Sequence, residues 1–174
     1  IIANTDVDNI VLDSRNVNHN SLFIAHQGTS DNGAKYVQDA INNGAKLVLV
    51  NAQNAEEHGE VNSIDNALIV RFFELEKQLG FICSAFHQHV SNQLQCIAIT
   101  GTNGKTSVAH ICAQLSASCD EDAATIGTMG VAFYTKKQAS IKIAETINTT
   151  PDVACLHQLA HLVKDCGGRR ICIE

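Results

Sequence analysis

CIAITGTNGKTS, running from Cys96 to Ser107, is the stretch on which the reading of this chain turns. Cys96, Ile97, Ala98 and Ile99 form a short apolar run, the pattern of a strand buried on both faces. Thr100, Gly101, Thr102, Asn103 and Gly104 interrupt it with turn chemistry. Lys105, Thr106 and Ser107 then open an apolar-periodic segment, Val108 to Leu115, that reads as a helix. Strand, glycine-rich turn and helix start together make a phosphate cradle. Glycines let the backbone come close, and the free N–H groups of the first helical turn point at the anion. A lysine adds a point charge, and the hydroxyl after it can ligate Mg²⁺. Ile99 stands where the usual nucleotide loop carries its first glycine, so an ordinary strand-to-helix turn is the alternative reading. The preceding strand and the following helix favour phosphate.

Working outward, the flanks read as α/β units. On the N-terminal side, Asn9 to Leu12, Ser21 to Ala25, Lys46 to Val50 and Ala67 to Val70 are strand candidates. A helix is expected over Ala34 to Asn43, closed by Gly44, and a second over Phe72 to Phe86. Gln27 to Gly33 reads as an exposed loop, and Asn51 to Asn66 as loop or weak structure. Gln88 to Gln95 is polar and is the expected domain boundary. On the C-terminal side, Ala123 to Ile126 is a strand. Val131 to Tyr134 and Ser140 to Ala144 form a hairpin around Lys136 and Lys137. A helix over Val153 to Cys166 is expected to start at Thr150 as N-cap, with Pro151, the single proline, in its first turn. Arg170 to Ile173 begins a strand that ends at Glu174.

Composition sets bounds on function. At 174 residues and 45% hydrophobic content the chain can bury one large core or two small ones. A net charge of −6 argues against a nucleic-acid backbone as partner. No apolar run approaches the ~18 residues of a membrane span, and no secretory leader is recognisable. The seven cysteines lack any C-x-x-C pair and lie mostly in apolar runs, as reduced core thiols do. His157 and His161 have the spacing of a two-histidine metal face but no evident third ligand; His87 and His89 read as solvated boundary residues. Asp6 and Asp8 lack the glycine of a calcium loop. The chain starts without Met and ends within a strand, the expectation for a piece of a longer protein.

With these motifs in hand the chain resembles the Mur ligases, the ATP-dependent enzymes that build the peptide stem of peptidoglycan. The resemblance runs from about Ile10 to Glu174 and rests on LDSR (Leu12 to Arg15), SLFIA followed by QGTSDNG, NGAKLVLV, ITGTNGKTS, GTMG (Gly127 to Gly130) and NTTPD (Asn148 to Asp152). DSR is shared with the ligases that add the terminal dipeptide, and GTNGKT with cyanophycin and folylpolyglutamate synthetases. DSR, GTNGKT and NTTP in this order point to the branch that adds the third stem residue to UDP-N-acetylmuramoyl-L-alanyl-D-glutamate.

The resemblance implies a small N-terminal α/β substrate domain, residues 1–90, followed at 91–174 by the start of a parallel-sheet, P-loop-type ATPase domain. Leu12 and Ser14 would hold the UDP-sugar, and Thr29, Ser30 and Asp31 its uridine end. Family members often have His-Gln where Thr29 and Ser30 stand, and Asp-Gly where Asn32 and Gly33 stand. Gly101, Thr102, Asn103, Gly104, Lys105, Thr106 and Ser107 match the ATP loop, with Lys105 on the β/γ-phosphates and Thr106 near Mg²⁺. Asn148, Thr149 and Thr150 would grip the muramoyl peptide, and Glu174 would bind Mg²⁺. In the family a substrate carboxylate attacks the γ-phosphate, and an amine, from meso-diaminopimelate or L-lysine, displaces phosphate from the acyl phosphate. A cytoplasmic monomer is implied, with a 174-residue piece that is inactive alone. A non-catalytic nucleotide-sugar module, or another Mur-type or P-loop enzyme, is the alternative.

Overall fold

The computed structural model describes residues 6–28, 32–146 and 150–174. The chain falls into two packed units, Ile1–Ile82 and Cys83–Glu174, each with its own mostly parallel sheet.

In the first unit, strands β1 (Asn9–Val11), β2 (Ser21–Ala25), β3 (Ala45–Asn51) and β5 (Ala67–Phe72) run parallel, in spatial order β1-β2-β3-β5. All five residues of β2 are buried, as its unbroken SLFIA run requires of a strand with neighbours on both sides. Phe23 pairs in register with Val48, and Val48 with Ile69. With Val17, Ala25, Ala40 and Ala45 they make the core. Helix α1 (Val37–Asn42) follows a 3₁₀ turn at Gly33–Tyr36 and closes on Gly44 at φ +105°, a left-handed cap that favours glycine.

Two expectations fail here. Strand β4 (Val61–Ile64) lies inside the segment read as loop or weak structure and pairs antiparallel with β5. All four of its residues are exposed, so main-chain pairing at a sheet edge makes the strand and leaves no hydrophobic period to read. Phe72 closes β5 instead of opening the helix; α2 runs Leu75–Phe86, with Glu74 at φ +55° before it.

In the second unit the order is β6-β10-β7-β8-β9. Strands β6 (Gln95–Ala98), β10 (Arg170–Ile173) and β7 (Ala123–Gly127) are parallel. Strands β8 (Gly130–Thr135) and β9 (Gln138–Ala144) add an antiparallel hairpin. Helices α3 (Lys105–Ser118) and α4 (Val153–Asp165) cover opposite faces, as strand alternation dictates. Ala123 and Cys172 pack with Ala109, Ala113 and Ala117 of α3. Ala124, Ile126 and Ile171 pack with Leu159, Ala160 and Val163 of α4.

Four corrections follow. β6 is not buried on both faces: it has one strand neighbour, and Gln95, Cys96 and Ala98 are exposed. Helix α3 turns its alanines to the sheet, which lets the backbone approach, and leaves Val108, Ile111 and Leu115 exposed. The N-cap of α4 is Asp152, not Thr150. The Asp152 carboxylate accepts from the Cys155 amide at 2.8 Å and suits the positive end of the helix dipole. All seven cysteines are free, but only Cys83 and Cys172 are buried.

Candidate functional site

The carboxyl ends of β6, β10 and β7 gather the chemistry of the second unit, where parallel α/β sheets place ligand sites. Past β6 the chain turns through an exposed loop, Gly101 to Gly104, into α3. Gly101 has φ +148° and Gly104 φ +79°, and a side chain at Gly104 would meet only open space. The loop is therefore shaped by backbone conformation, not by packing. Among the described residues, no protein acceptor is found for the amides of Thr102 to Ser107. The Lys105 ammonium folds back and donates to the Gly101 carbonyl at 3.0 Å.

Glu174, buried to 8% exposure, faces this loop from the end of β10. The Thr106 hydroxyl donates to its Oε2 at 2.6 Å and the Thr128 amide to its Oε1 at 2.8 Å. Burial alone would raise the pKa of this carboxyl. The Thr106 and Thr128 hydrogen bonds and the Lys105 charge outweigh burial and hold it below the usual carboxylate range. Gly127 makes the approach possible, since a Cβ there would lie 2.1 Å from Glu174 Cγ. Thr150 donates to the main-chain oxygen of Glu174 at 3.2 Å.

The first unit has a cavity of about 570 Å³ at the ends of β1 and β2. Leu12 and Ser14 line it with Asp13, Arg15, Phe23, His26, Gly28, Gly33, Tyr36 and Asp39. Arg15 binds Asp13 in a two-pronged pair, at 2.6 Å for Nη2–Oδ2 and 2.9 Å for Nε–Oδ1, and this holds the Asp13 carboxyl below its ordinary pKa.

Two family models match this chain: one described as the Mur ligase family, catalytic domain, over residues 6–87, and one as the Mur ligase middle domain, over 99–174. The chain belongs to the Mur ligase family. A Buchnera aphidicola relative named UDP-N-acetylmuramoyl-L-alanyl-D-glutamate--2,6-diaminopimelate ligase is 33% identical over 132 residues, 76% of this chain and 27% of its own length. A Haemophilus influenzae relative of the same name is 30% identical over 169 residues, 97% of this chain and 33% of its own. A solved structure of a ligase of that name superposes with a TM-score of 0.67 over 97% of this chain and 31% of its own, at 24% identity, a likeness of fold. The chain spans between about a quarter and a third of the length of these relatives.

Set on this Mur ligase fold, the residues singled out in the sequence divide into three groups. Gly101 to Ser107, Thr106, Thr150 and Glu174 converge at one sheet end. Leu12 and Ser14 meet at the first unit's cavity. Thr29, Ser30 and Asp31, and Asn148 and Thr149, lie outside the described residues. Sequence reading gave no role to Thr128, which holds Glu174; its only signal was its place in GTMG. It also passed over His26 and Tyr36 in the cavity wall.

His87 is not a solvated residue of this Mur ligase chain. Its ring lies 5.9 Å from that of His161, and its Nε2, with Nδ1 of His157 and of His161, is buried without a hydrogen-bond partner among the described residues. Burial and the neighbouring imidazoles push the pKa of His87 down, and burial together with His89 pushes His157 down. Among the described residues, no group of three histidine, cysteine, aspartate or glutamate side chains is placed to hold a metal ion.

Proposed function

We propose that this chain is the substrate- and nucleotide-binding part of an ATP-dependent ligase of peptidoglycan precursor synthesis. The enzyme adds a diamino acid to UDP-N-acetylmuramoyl-L-alanyl-D-glutamate, and the names of the relatives favour 2,6-diaminopimelate. The observation that carries this reading is the open loop at Gly101–Lys105 with unpaired amides, beside the Thr106–Glu174 pair. In this reading the amides of Thr102 to Ser107 and the Lys105 ammonium bind the triphosphate of ATP, with the dipole of α3 behind them. Lys105 leaves the Gly101 carbonyl to do so, a small cost for a side chain at an exposed loop.

The donor set suits Mg²⁺, because the Thr106 hydroxyl and the Glu174 carboxylate are hard oxygens already within 2.6 Å of each other. Bound there, Mg²⁺ would offset the charge of phosphate and substrate carboxylate as they come together. Thr128 and Gly127 keep the Glu174 carboxylate in place and ionised. Thr150, with Asn148 and Thr149, grips the muramoyl peptide. Leu12 and Ser14, with Thr29, Ser30 and Asp31, hold the UDP end in the first unit. Catalysis by such a site is positioning plus charge stabilisation.

The ligase works as a cytoplasmic monomer in this reading. Among the described residues, no helix is long and apolar enough to cross a membrane. Titration calorimetry of the chain with Mg·ATP and, separately, with UDP-N-acetylmuramoyl-L-alanyl-D-glutamate tests the proposal. One site for each ligand is expected. Binding of neither refutes it, and binding of the UDP-sugar alone would reassign the chain as a nucleotide-sugar module.

A further inference from the structure

The peptide unit between Gly127 and Thr128 is held at both of its poles. Its N–H, from Thr128, donates to Glu174 Oε1 at 2.8 Å. Its C=O, from Gly127, accepts from the Thr146 hydroxyl at 2.5 Å. Thr146 reaches this carbonyl because of how the hairpin is built. Gly127 lies opposite Gly130 where β7 meets β8, and Val131 lies opposite Ala144 where β8 meets β9. The end of β9 crosses Gly130 so closely that a Cβ there would lie 2.5 Å from the Ala144 oxygen. Two residues on, the half-buried Thr146 stands at the carboxyl end of β7.

A planar trans peptide turns as one piece, with its C=O and N–H pointing in opposite directions. A rotation that takes the Gly127 carbonyl away from Thr146 therefore takes the Thr128 N–H away from Glu174. The two hydrogen bonds also reinforce each other, because a donor on the carbonyl polarises the amide and makes its N–H a stronger donor. The backbone of Glu174 is fixed independently, since its amide donates to the Ile126 carbonyl at 3.1 Å. What remains to be set is the direction of its carboxylate, and Thr128 on Oε1 and Thr106 on Oε2 set it. A cation held between Thr106 and Glu174 would displace the Thr106 proton from Oε2. The Thr128 side of the carboxylate then carries the aim, and Thr146 stands behind it.

We propose that Thr146 is a positioning residue for the metal site: its hydroxyl holds the Gly127–Thr128 peptide in the orientation that aims Glu174 at Mg²⁺. This rests on the reading of Glu174 as a Mg²⁺ ligand. Amide ¹H–¹⁵N spectra and calorimetry of the full chain test it in two variants. Thr146→Val keeps the branched shape and loses the O–H; Thr146→Ser keeps the O–H. Without metal or nucleotide, the Thr128 amide proton should move upfield in Thr146→Val and return to its place in Thr146→Ser. ATP binding with Mg²⁺ should weaken about fivefold in Thr146→Val, while ATP binding in EDTA should not change. Thr146→Ser should bind Mg·ATP within about twofold of the unaltered chain. A thermal melt checks that the second unit remains folded in both. If the Thr128 amide stays in place in Thr146→Val, if Thr146→Ser behaves as Thr146→Val, or if Thr146→Val loses ATP equally with and without Mg²⁺, the Thr146 assignment is wrong while the reading of Glu174 stands. If the unaltered chain binds ATP no better with Mg²⁺ than in EDTA, the reading of Glu174 falls and the role of Thr146 with it.

Discussion

Both units gather their candidate site residues at the carboxyl ends of parallel strands, but they pair their polar groups in different ways. In the second unit the acidic group is satisfied in advance, with Glu174 accepting from Thr106 and Thr128, and what stands open is a row of backbone donors. In the first unit's cavity the Asp13 carboxylate is already paired with Arg15, and Phe23 and Tyr36 add aromatic residues to the lining. A row of donors at a helix start suits an anion; a cavity whose one described basic side chain is already ion-paired offers an anion less. One strand-end geometry thus serves two chemistries, and the local pairing of polar groups decides which.

The largest effect should come from closing the space behind Glu174. Gly127→Ala puts a methyl where Glu174 Cγ lies 2.1 Å away. Overpacking of this kind costs the second unit about 1–3 kcal/mol and displaces the carboxylate, so Mg²⁺-dependent nucleotide binding should be lost. Urea denaturation with calorimetry checks both, and a variant with unchanged stability and binding would show that Glu174 is not held as described.

A pair of cation deletions sharpens the contrast next. Lys105→Ala should weaken Mg·ATP by about 10- to 100-fold with little change in stability, because its ammonium touches only an exposed loop carbonyl. Arg15→Ala should change UDP affinity by less than about threefold, since an exposed cation already paired adds little. Comparable losses in the two variants would erase the distinction between the sites.

The smallest effect is in the pH profile. His87 and His157 are held neutral in the fold, with pKa values pushed below 6.5 by burial first and neighbouring imidazoles second. The unfolded chain takes up their protons near 6.5 and the folded chain does not, so the second unit should lose stability as pH falls below about 6.5. Asp13 and Glu76 in the first unit have lowered pKa values, with starting points of 3.8 and 4.5. Their contribution is present above those values and lost only as pH falls below them. Melting curves between pH 7.5 and about 5 should therefore show the second unit weakening first. His87→Phe should flatten that slope.

Much of this was legible in the sequence, for identifiable reasons. The loop at 101–106 was visible because glycine, lysine and threonine are needed at adjacent positions along the chain, and SLFIA because a strand with two neighbours is apolar throughout. Three features were hidden for want of a local signal. Strand β4 is held by main-chain pairing and buries nothing. The inner face of α3 is built from alanines, so its most hydrophobic residues mark the wrong side. Thr128 meets Glu174 across 46 residues of sequence. Long-range pairing has no sequence period.

The central claim is that the backbone amides of 102–107 are the phosphate-binding groups. Amide ¹H–¹⁵N spectra of the chain titrated with Mg·ATP test it directly. Thr102 to Ser107 should show the largest shifts, with the Lys105→Ala chain shifting only at much higher nucleotide. Saturable binding that leaves those amides unmoved while others respond would contradict it.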